Sequence, residues 1–324
     1  MLNLLYVYEE RIPEDLRRLV RQRIPLNEFV LQEITYGEGE KLWKEKLSWA
    51  DVVLFAPGRF LSDEVLRSAA NVKLMQLWSS GYDKFNVASC TKYKIPVANN
   101  GGANACAVAE HAILLMLAVS KKLPTSHNRC VEGIWNGNHG MDMSLIYQKR
   151  IGIIGFGKIG QLVAKKIKGF EAQICYFDTR RASPEIEKEY GATFMELESL
   201  LTTSDIVTLH LHHNKATDKI IGTREINLMK TNSLLINVSR AQLVDQAALY
   251  EALRSKKLGG AGLDVFIKEP TEPGDPLLML PNVVATSHTA GSTRETYEMV
   301  MGRVIENFRR VARGEKPFWL IGQE

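Results

Sequence analysis

The sequence predicts an α/β protein with two doubly wound parallel sheets. Short apolar runs of strand length alternate with amphipathic stretches of helix length through most of the 324 residues, which is the pattern of successive βαβ units. The alternation falls into two series, separated by a less regular stretch over residues 124–148 that contains several glycines. A chain of this length can bury a separate core in each of two domains.

The first series predicts a small open sheet within about the first hundred residues. Each apolar run is followed by a polar or glycine-containing turn, which marks the end of a strand. The predicted strands are Leu2–Tyr8, Asp51–Phe55, Val72–Leu77 and Pro96–Ala98.

The second series begins at Arg150 and predicts a larger sheet. Its six apolar runs in succession suggest a full dinucleotide-binding domain. The predicted strands are Ile151–Ile154, Gln173–Phe177, Ile206–His210, Ser233–Val238, Gly260–Val265 and Val283–Thr286.

Two long helices are predicted in addition. One covers Ala103–Lys122, where apolar residues recur at helical spacing. The other covers Ser292–Arg313, with Ser292 or Thr293 as its N-cap and Gly314 as its stop signal.

Composition and charge exclude several kinds of partner. Hydrophobic residues make up 45% and charged residues 24% of the chain, and the net charge of +4 is spread along it, so we expect no nucleic-acid partner. The N-terminus lacks the basic segment of a secretory signal, and the most apolar stretch contains Glu110 and His111, so we expect no membrane partner. Reduced thiols in a cytoplasmic protein are favoured by the wide spacing of the four cysteines, Cys90, Cys106, Cys130 and Cys175.

A glycine-rich segment follows the first strand of the second series. Gly155, Gly157 and Gly160 form the pattern GxGxxG between that strand and an amphipathic helix. The first glycine permits a tight turn, the second lets the backbone approach a pyrophosphate, and the third allows close helix–strand packing. Because the helix N-terminus offers free N–H groups to phosphates, the segment predicts a Rossmann domain that binds a dinucleotide.

The residues after the second strand of this series bear on the choice of cofactor. Asp178 would accept hydrogen bonds from the adenosine ribose and repel a 2′-phosphate, which favours NAD over NADP. Arg180 and Arg181 lie close by in the sequence and weaken that preference, because an arginine can bind a 2′-phosphate. We expect NAD as the cofactor and leave NADP open.

Three polar residues, Arg240, Glu269 and His288, each follow a strand of the second series. The carboxyl ends of parallel strands meet at one edge of a sheet, so these side chains can converge there. A histidine suits proton exchange with a hydroxyl as hydride moves, and a neighbouring carboxylate stabilises the imidazolium. A guanidinium can bind a substrate carboxylate and polarise the reacting carbonyl. The set predicts hydride transfer between a nicotinamide and a small 2-hydroxy or 2-oxo acid.

Over nearly its whole length the chain resembles the D-isomer-specific 2-hydroxyacid dehydrogenases. This family includes D-3-phosphoglycerate and D-lactate dehydrogenases and glyoxylate/hydroxypyruvate reductases. The segments that carry the resemblance are SSGYDKFN (79–86), NNGGANACAVAEHAILLMLA (99–118), GFGKIG (155–160), INVSRAQLVDQAALYEAL (236–253), GLDVFIKEP (262–270) and SHTAGST (287–293).

The resemblance implies roles for residues within these segments. Arg240, Glu269 and His288 fall on the family's catalytic triad, and Asp264 on an acidic residue near the nicotinamide carboxamide. The residues implied to bind substrate are Ser80, Gly81, Asn104 and Arg240. Those implied to bind the dinucleotide are Gly155, Gly157, Lys158, Ile159, Gly160, Asp178, Val238, Ser239, Asp264 and Gly291.

The resemblance also implies that the Rossmann domain is inserted into a smaller, flavodoxin-like substrate domain. The dinucleotide-binding domain would cover residues 100–289, and the substrate domain residues 1–99 and 290–324. The active site would lie in a cleft that closes on binding. Homodimers are usual in the family, so a homodimer is implied.

The chain departs from the family pattern at three places. Ser287 stands where proline is frequent, His212 and His213 occupy a segment that usually contains proline, and Ala241 stands where glycine is usual. These changes leave every proton-transfer group in place, so they bear on substrate and cofactor detail. Related formate dehydrogenases carry glutamine beside the histidine, whereas Glu269 favours a hydroxyl-to-carbonyl reaction.

Two other functions are left open. Transcriptional corepressors of the superfamily keep the same triad and sense NAD(H), but they usually add peptide-binding surface or long tails, whereas this chain ends shortly after its last predicted helix. A dehydrogenase of another small anion, such as phosphite, is the second alternative.

Several further residues keep two interpretations. His210, His212 and His213 form a cluster, with the first two on one predicted strand face, but no cysteine or carboxylate stands at ligand spacing and we expect no metal. In related enzymes the region of Trp135 can line the active site, but we expect Trp135 to pack at a dimer interface. Arg59 either contacts an anionic substrate tail or is solvated.

Overall fold

The chain folds into two compact units. The computed structural model describes residues 1–135 and 142–322. The first unit comprises Met1–Asn104 with Thr293–Glu324, and the second unit comprises Ala105–Ser292. These divisions lie a few residues beyond the predicted boundaries at 99/100 and 289/290.

The described residues form thirteen β-strands, numbered here in chain order. They are β1 (Leu2–Tyr8), β2 (Phe29–Thr35), β3 (Val52–Ala56), β4 (Leu74–Leu77), β5 (Val97–Ala98), β6 (Arg150–Ile154), β7 (Gln173–Phe177), β8 (Ala192–Phe194), β9 (Ile206–Leu209), β10 (Leu234–Asn237), β11 (Gly260–Leu263), β12 (Val283–Ala285) and β13 (Leu320–Ile321).

The same residues form twelve α-helices. They are α1 (Glu14–Arg23), α2 (Glu40–Trp49), α3 (Asp63–Arg67), α4 (Val87–Lys92), α5 (Ala105–Ser120), α6 (Leu123–Val131), α7 (Lys158–Ile167), α8 (Pro184–Tyr190), α9 (Leu197–Thr203), α10 (Thr223–Leu228), α11 (Gln246–Arg254) and α12 (Arg294–Ala312).

Both predicted long helices are confirmed, as α5 and α12. The Thr293 hydroxyl accepts a hydrogen bond from the N–H of Thr296 at 3.2 Å and so caps α12. Gly314, with a φ of +72°, follows the helix in the left-handed conformation that commonly ends helices.

The sheet of the first unit has the strand order β13-β5-β4-β3-β1-β2. Strands β1 to β5 are parallel in the flavodoxin-like order 2-1-3-4-5, and β13 pairs antiparallel with β5. The four strands predicted here are confirmed to within two residues at either end. The prediction missed β2, an edge strand in which only Phe29 and Ile34 are buried, because its apolar pattern is weak.

The sheet of the second unit has the order β12-β11-β10-β9-β6-β7-β8 and is parallel throughout. The strand order reverses at the β6–β9 pair, which is where ligands bind in open sheets of this type. All six predicted strands are confirmed to within two residues, and the predicted α/β class with two doubly wound sheets holds. The edge strand β8 was missed because three residues carry too little periodicity.

No helix among the described residues is long and apolar enough to cross a membrane. The four cysteines carry free thiols; Cys90 and Cys175 are buried, and Cys106 and Cys130 are exposed. The cytoplasmic location stays a prediction.

A buried amide joins α12 to the sheet of the first unit. Asn307 is fully buried, and its Nδ2 donates to Gln76 Oε1 on β4 at 2.8 Å and to the carbonyl oxygen of Phe318 at 3.0 Å. Its Oδ1 accepts from the N–H of Phe318 at 2.8 Å. One side chain therefore satisfies three polar groups, one of them on the buried Gln76, in two segments far apart in the chain.

Replacing Asn307 with alanine should lower the stability of the first unit by about 1–3 kcal/mol, because it leaves the buried Gln76 oxygen and two backbone groups of Phe318 without this partner. Hydrogen-exchange protection of the β4 amides, read by mass spectrometry, measures the loss. Asn71→Ala, at an exposed position, is the matched control and should change protection little. Equal protection in both variants would show that the buried amide contributes nothing.

Candidate active site

The glycine loop between β6 and α7 has a backbone that side chains would disrupt. Gly155 has a φ of +94°, and a Cβ there would lie 2.7 Å from the carbonyl oxygen of His210. A Cβ on Gly160 would lie 2.1 Å from the carbonyl oxygen of Gly155. At Gly157, by contrast, a Cβ would meet no described atom within 4 Å. Packing of the described residues therefore does not require a glycine at this position. Because Gly157 has no side chain, the space beside the N-terminus of α7 stays open, and this space fits a pyrophosphate.

Asp178, directly after β7, ties that strand to the glycine loop. Its Oδ2 accepts from the N–H of Phe156 at 2.7 Å, and its Oδ1 accepts from the N–H of Arg180 at 3.4 Å. The Phe156 ring stacks on Tyr176 with the ring centroids 4.0 Å apart, which anchors the loop in the core. Asp178 is only partly buried, so its carboxylate keeps surface for a ligand while it holds the loop.

The two arginines after Asp178 differ in their contacts. Arg181 donates two hydrogen bonds to Glu187, at 2.9 and 3.0 Å. Arg180 is exposed, and its guanidinium forms no ion pair within residues 1–135 and 142–322. Of the two, Arg180 is the one available to a 2′-phosphate.

The imidazole of His288 is hydrogen-bonded to the carboxylate of Glu269. Nδ1 of His288 lies 3.0 Å from both Oε1 and Oε2 of Glu269, and the N–H of Phe266 donates to Oε1 at 3.1 Å. An ionised carboxylate only accepts hydrogen bonds, so Nδ1 carries the hydrogen and Nε2 is left for proton exchange. The His288 side chain is 45% exposed and that of Glu269 is 21% exposed. The structure thus brings these two predicted residues together.

Asp264 holds the backbone of His288. The carbonyl oxygen of Asp264 accepts from the N–H of His288 at 2.8 Å, and its carboxylate accepts from the N–H groups of Thr289 and Ala290, both at 2.9 Å. His288 has a φ of +56°, a left-handed conformation that non-glycine residues rarely adopt. Strain of this kind persists only where the surroundings impose it, and the hydrogen bonds to Asp264 impose it here.

Sequence reasoning missed two residues that extend this network. Thr286 Oγ1 donates to Asp264 Oδ1 at 2.6 Å, and Nε2 of His111 lies 2.8 Å from Thr286 Oγ1. Because the hydroxyl gives its only hydrogen to Asp264, it accepts from His111. The sequence contained one signal for this role of His111: it is a histidine within α5, a helix whose other residues are mostly apolar and buried.

Arg240 lies on the same sheet edge as His288 and Glu269. Arg240 follows β10, Glu269 follows β11 and His288 follows β12, and these three strands are adjacent. The carbonyl oxygen of Arg240 accepts from Asn237 Nδ2 at 2.9 Å, and its Nη1 donates to the carbonyl oxygen of Ser239 at 2.8 Å.

The other predicted cofactor residues also lie on this edge. Lys158 and Ile159 form the first turn of α7, and Gly291 follows the segment held by Asp264. Val238 is buried directly after β10. Ser239 donates from Oγ to the carbonyl oxygen of Leu209 at 2.7 Å, which joins the ends of β10 and β9.

In the first unit, the structure brings together Ser80, Gly81 and Asn104. The Ser80 hydroxyl lies 2.6 Å from Asn104 Oδ1 and also contacts Asn100 Oδ1. Within the described ranges, no acceptor is bonded to the backbone N–H groups of Ser80 and Gly81. Adjacent backbone amides of this kind can bind an anion.

The predicted strand face shared by His210 and His212 is wrong, because β9 ends at Leu209. His213 Nε2 lies 2.9 Å from Asp218 Oδ1, and His210 Nε2 lies 3.0 Å from Thr208 Oγ1. Among the described residues, no group of three or more His, Cys, Asp or Glu side chains is placed to hold a metal ion.

Trp135 and Arg59 have distinct surroundings. Trp135 is 88% exposed in the single chain. Arg59 forms an ion pair with Glu9, so its guanidinium is not merely solvated. The N–H of Arg59 also donates to the Tyr36 hydroxyl at 3.1 Å, which fixes the Arg59 backbone.

This fold and these side chains define a class of enzyme, one that exchanges hydride with a bound dinucleotide. The model of the family described as D-isomer specific 2-hydroxyacid dehydrogenase, NAD binding domain, matches residues 113–290. The chain belongs to the D-isomer specific 2-hydroxyacid dehydrogenase family and is an oxidoreductase that acts on CH–OH donors with NAD(P). The predicted family and NAD as cofactor are confirmed.

Individual relatives cover most of the chain. A glyoxylate reductase of Korarchaeum cryptofilum is 38% identical over 81% of this chain and 79% of its own length. A glyoxylate reductase of Thermococcus litoralis is 35% identical over 94% of this chain and 96% of its own length. A solved structure of an Aquifex aeolicus D-lactate dehydrogenase, complexed with NAD and lactic acid, superposes with a TM-score of 0.83 at 25% identity, covering 97% of this chain and 96% of its own.

His210 should make the protein sensitive to acid. Its Nδ1 is sealed from solvent with no hydrogen-bond partner among the described residues, and burial lowers the pKa of His210 to about 3. Between that value and about 6.5, the unfolded chain binds a proton that the folded chain does not. Stability contributed by neutral His210 is therefore present at neutral pH and lost as the pH falls below about 6.5.

We expect this residue to remove up to roughly 2 kcal/mol of stability between pH 7 and about pH 4.5. Urea unfolding of the protein and of His210→Asn at the two pH values measures the difference. The variant should lose less stability on acidification than the parent. Equal losses would contradict a buried neutral imidazole.

Proposed function

We propose that this protein is a D-2-hydroxyacid dehydrogenase that works mainly as a reductase of small 2-oxo acids such as glyoxylate. The observation that carries the proposal is the bond between His288 Nδ1 and the Glu269 carboxylate at 3.0 Å, at the sheet edge that also holds the glycine loop. The name glyoxylate reductase, borne by relatives at 35% and 38% identity, supports the substrate class.

In this proposal His288 is the acid in reduction and the base in oxidation. Its Nε2 gives a proton to the carbonyl oxygen of a 2-oxo acid and takes it back in the reverse reaction. Glu269 stabilises the imidazolium and keeps the hydrogen on Nδ1. A bound nicotinamide supplies the hydride in one direction and accepts it in the other.

Asp264, Thr286 and His111 act as positioning residues. The hydrogen bonds from Thr289 and Ala290 to Asp264 keep the His288 segment in its left-handed conformation, which fixes where Nε2 lies. Prepositioning of an acid in this way avoids reorganisation during the reaction.

Arg240 and the Ser80–Gly81 turn are proposed to bind the substrate carboxylate. The guanidinium of Arg240 pairs with it and polarises the reacting carbonyl. The N–H groups of Ser80 and Gly81, which have no acceptor within the described ranges, are proposed as further donors to this carboxylate. Asn104 orients the turn through the Ser80 hydroxyl.

NAD is proposed to be preferred over NADP. The carboxylate of Asp178 accepts ribose hydroxyls and repels a 2′-phosphate. Arg180 lies two residues further on and is exposed, so it offsets part of that repulsion. The residues that would hold the dinucleotide are Gly155, Gly157, Lys158, Ile159, Gly160, Asp178, Val238, Ser239, Asp264 and Gly291.

A homodimer is also proposed. The segment from α5 to the start of β6 carries a run of large apolar side chains at the surface, and exposed clusters of this kind mark protein interfaces. A second copy of the chain would bury them. They are Leu114, Leu123, Val131, Ile134, Trp135, Leu145 and Tyr147, each between 40% and 88% exposed.

Replacing His288 with alanine should lower kcat for 2-oxo acid reduction by about 10²–10⁴-fold, the usual contribution of a positioned acid. NADH affinity should change little, because the imidazole acts on the substrate oxygen. Absorbance at 340 nm gives turnover on glyoxylate, hydroxypyruvate, pyruvate and phenylpyruvate, and fluorescence titration gives NADH affinity.

His127→Ala, at an exposed position on α6, is the matched control and should keep parental turnover. Near-full activity of the His288 variant on every acid that the parent reduces would refute the assignment. NADH binding by the parent without turnover of any acid would favour a cofactor-sensing protein, and oxidation of phosphite would favour the other dehydrogenase.

Replacing Trp135 with aspartate should shift the protein from dimer to monomer, because a charge would be buried in an apolar interface. Light scattering after size-exclusion chromatography gives the mass. Leu26→Asp, a comparable exposed leucine at 63% exposure in the first unit, should stay dimeric. A parent protein that is monomeric at all concentrations would refute the dimer.

A further inference from the structure

The carboxyl edge of the first unit's sheet holds a compact charge cluster around Glu9. Glu9 directly follows β1, and Arg59 lies in the loop after the neighbouring strand β3. Both the Nε and an Nη of Arg59 contact Oε1 of Glu9, while Nε of Arg11 contacts Oε2. Each oxygen of one carboxylate is therefore engaged by a different guanidinium.

Glu9 is the more enclosed partner of this cluster. Its side chain is 11% exposed, against 37% for Arg59 and 57% for Arg11. A carboxylate with little access to water depends on its ion pairs, so Arg59 is held in place by Glu9 rather than free to turn toward other anions.

The loop of Arg59 lies next to the turn that contains Ser80 and Gly81. Strands β3 and β4 are neighbours, and the N–H of Trp78 donates to the carbonyl oxygen of Phe55 at 2.9 Å. Gly58 packs against the end of β4, where a Cβ would lie 2.9 Å from Leu77 Cδ2. Arg59 and the amides proposed to bind a substrate carboxylate thus share one edge of the sheet, on adjacent strands.

The loop itself is fixed independently of the ion pair. The Tyr36 hydroxyl donates to the carbonyl oxygen of Pro57 at 2.7 Å and accepts from the N–H of Arg59 at 3.1 Å. The backbone of the loop therefore has its own support when the charge of Glu9 is removed, and the guanidinium of Arg59 stays at this edge.

We infer that Glu9 restricts the enzyme to 2-oxo acids that carry no second anionic group, by neutralising Arg59. This inference rests on the proposed function. A substrate whose far end bears a phosphate or carboxylate would need a free cation at this edge, but Arg59 and Arg11 are both paired with Glu9. A neutral far end, as in glyoxylate or hydroxypyruvate, meets no such penalty.

Glu9→Gln tests the inference directly. The amide keeps the size and one acceptor oxygen but removes the charge, which leaves Arg59 able to pair with a phosphate. The matched substrates are hydroxypyruvate and 3-phosphohydroxypyruvate, which differ only in the phosphate. The measured quantity is the ratio of kcat/KM for the phosphorylated to the unphosphorylated acid, at low ionic strength, where such charges act most strongly.

The ratio should rise by about tenfold in Glu9→Gln, mainly through a lower KM for the phosphorylated acid, since a freed charge-assisted hydrogen bond is worth about that much. The double variant with Arg59→Gln should abolish the rise. Glu9→Ala, which removes the whole carboxylate, should give a similar rise, and it decides the matter if Glu9→Gln does not fold.

Glu10→Gln is the control for a general change in charge. Glu10 is the next residue and contacts the Thr35 hydroxyl rather than Arg59, so its variant should keep the parental ratio. The inference alone is overturned if Glu9→Gln turns over hydroxypyruvate but leaves the ratio unchanged. It is also overturned if Glu9→Gln and Glu10→Gln give equal ratios. Failure of the parent to oxidise NADH or NADPH with glyoxylate, hydroxypyruvate, pyruvate or phenylpyruvate overturns the proposed function and the inference with it.

Discussion

The carboxylate of Asp264 is 1% exposed, and three donors from the residues around His288 satisfy it: the Thr286 hydroxyl and the N–H groups of Thr289 and Ala290. A buried charge is tolerated only with such partners, and hydrogen bonds to an ionised acceptor are about twice as strong as neutral ones. The segment is therefore drawn around Asp264, and His288 adopts a left-handed backbone. The position of the imidazole, and with it the bond to Glu269, depends on that geometry.

Parallel sheets explain why the functional groups of each unit collect at one edge. The helix that returns the chain to the start of the next strand leaves each carboxyl end open, and ligands bind there. In the second unit this edge holds the glycine loop after β6 and the three polar residues after β10, β11 and β12. In the first unit it holds Glu9, Arg59 and the Ser80–Gly81 turn.

Glu269 in the second unit and Glu9 in the first unit each bind a basic side chain, but the consequences for that side chain differ. Of the two ring nitrogens of His288, Nδ1 is the one that contacts Glu269, so the pair orients the imidazole and leaves Nε2 able to react. Glu9 engages two guanidiniums through both oxygens, so the pair reduces the capacity of Arg59 to bind another anion. The same attraction orients the imidazole for proton exchange in one unit and neutralises the charge of a guanidinium in the other.

Local patterns in the sequence were enough to predict the fold class, ten of the thirteen strands in the described residues, both long helices and the glycine fingerprint, because each depends on local periodicity or on residues adjacent in the chain. The sequence also predicted that Glu269 and His288 lie close together, since a strand end is recognisable without coordinates. Short or half-exposed edge strands such as β2 and β8 escaped it. Two sets of contacts are visible only in the folded structure: those of His111 and Thr286 that support Asp264, and the ion pair of Glu9 with Arg59. The hydrogen bond between His111 and Thr286 joins residues 175 positions apart, and the ion pair joins residues 50 positions apart. No local pattern encodes which distant side chains meet.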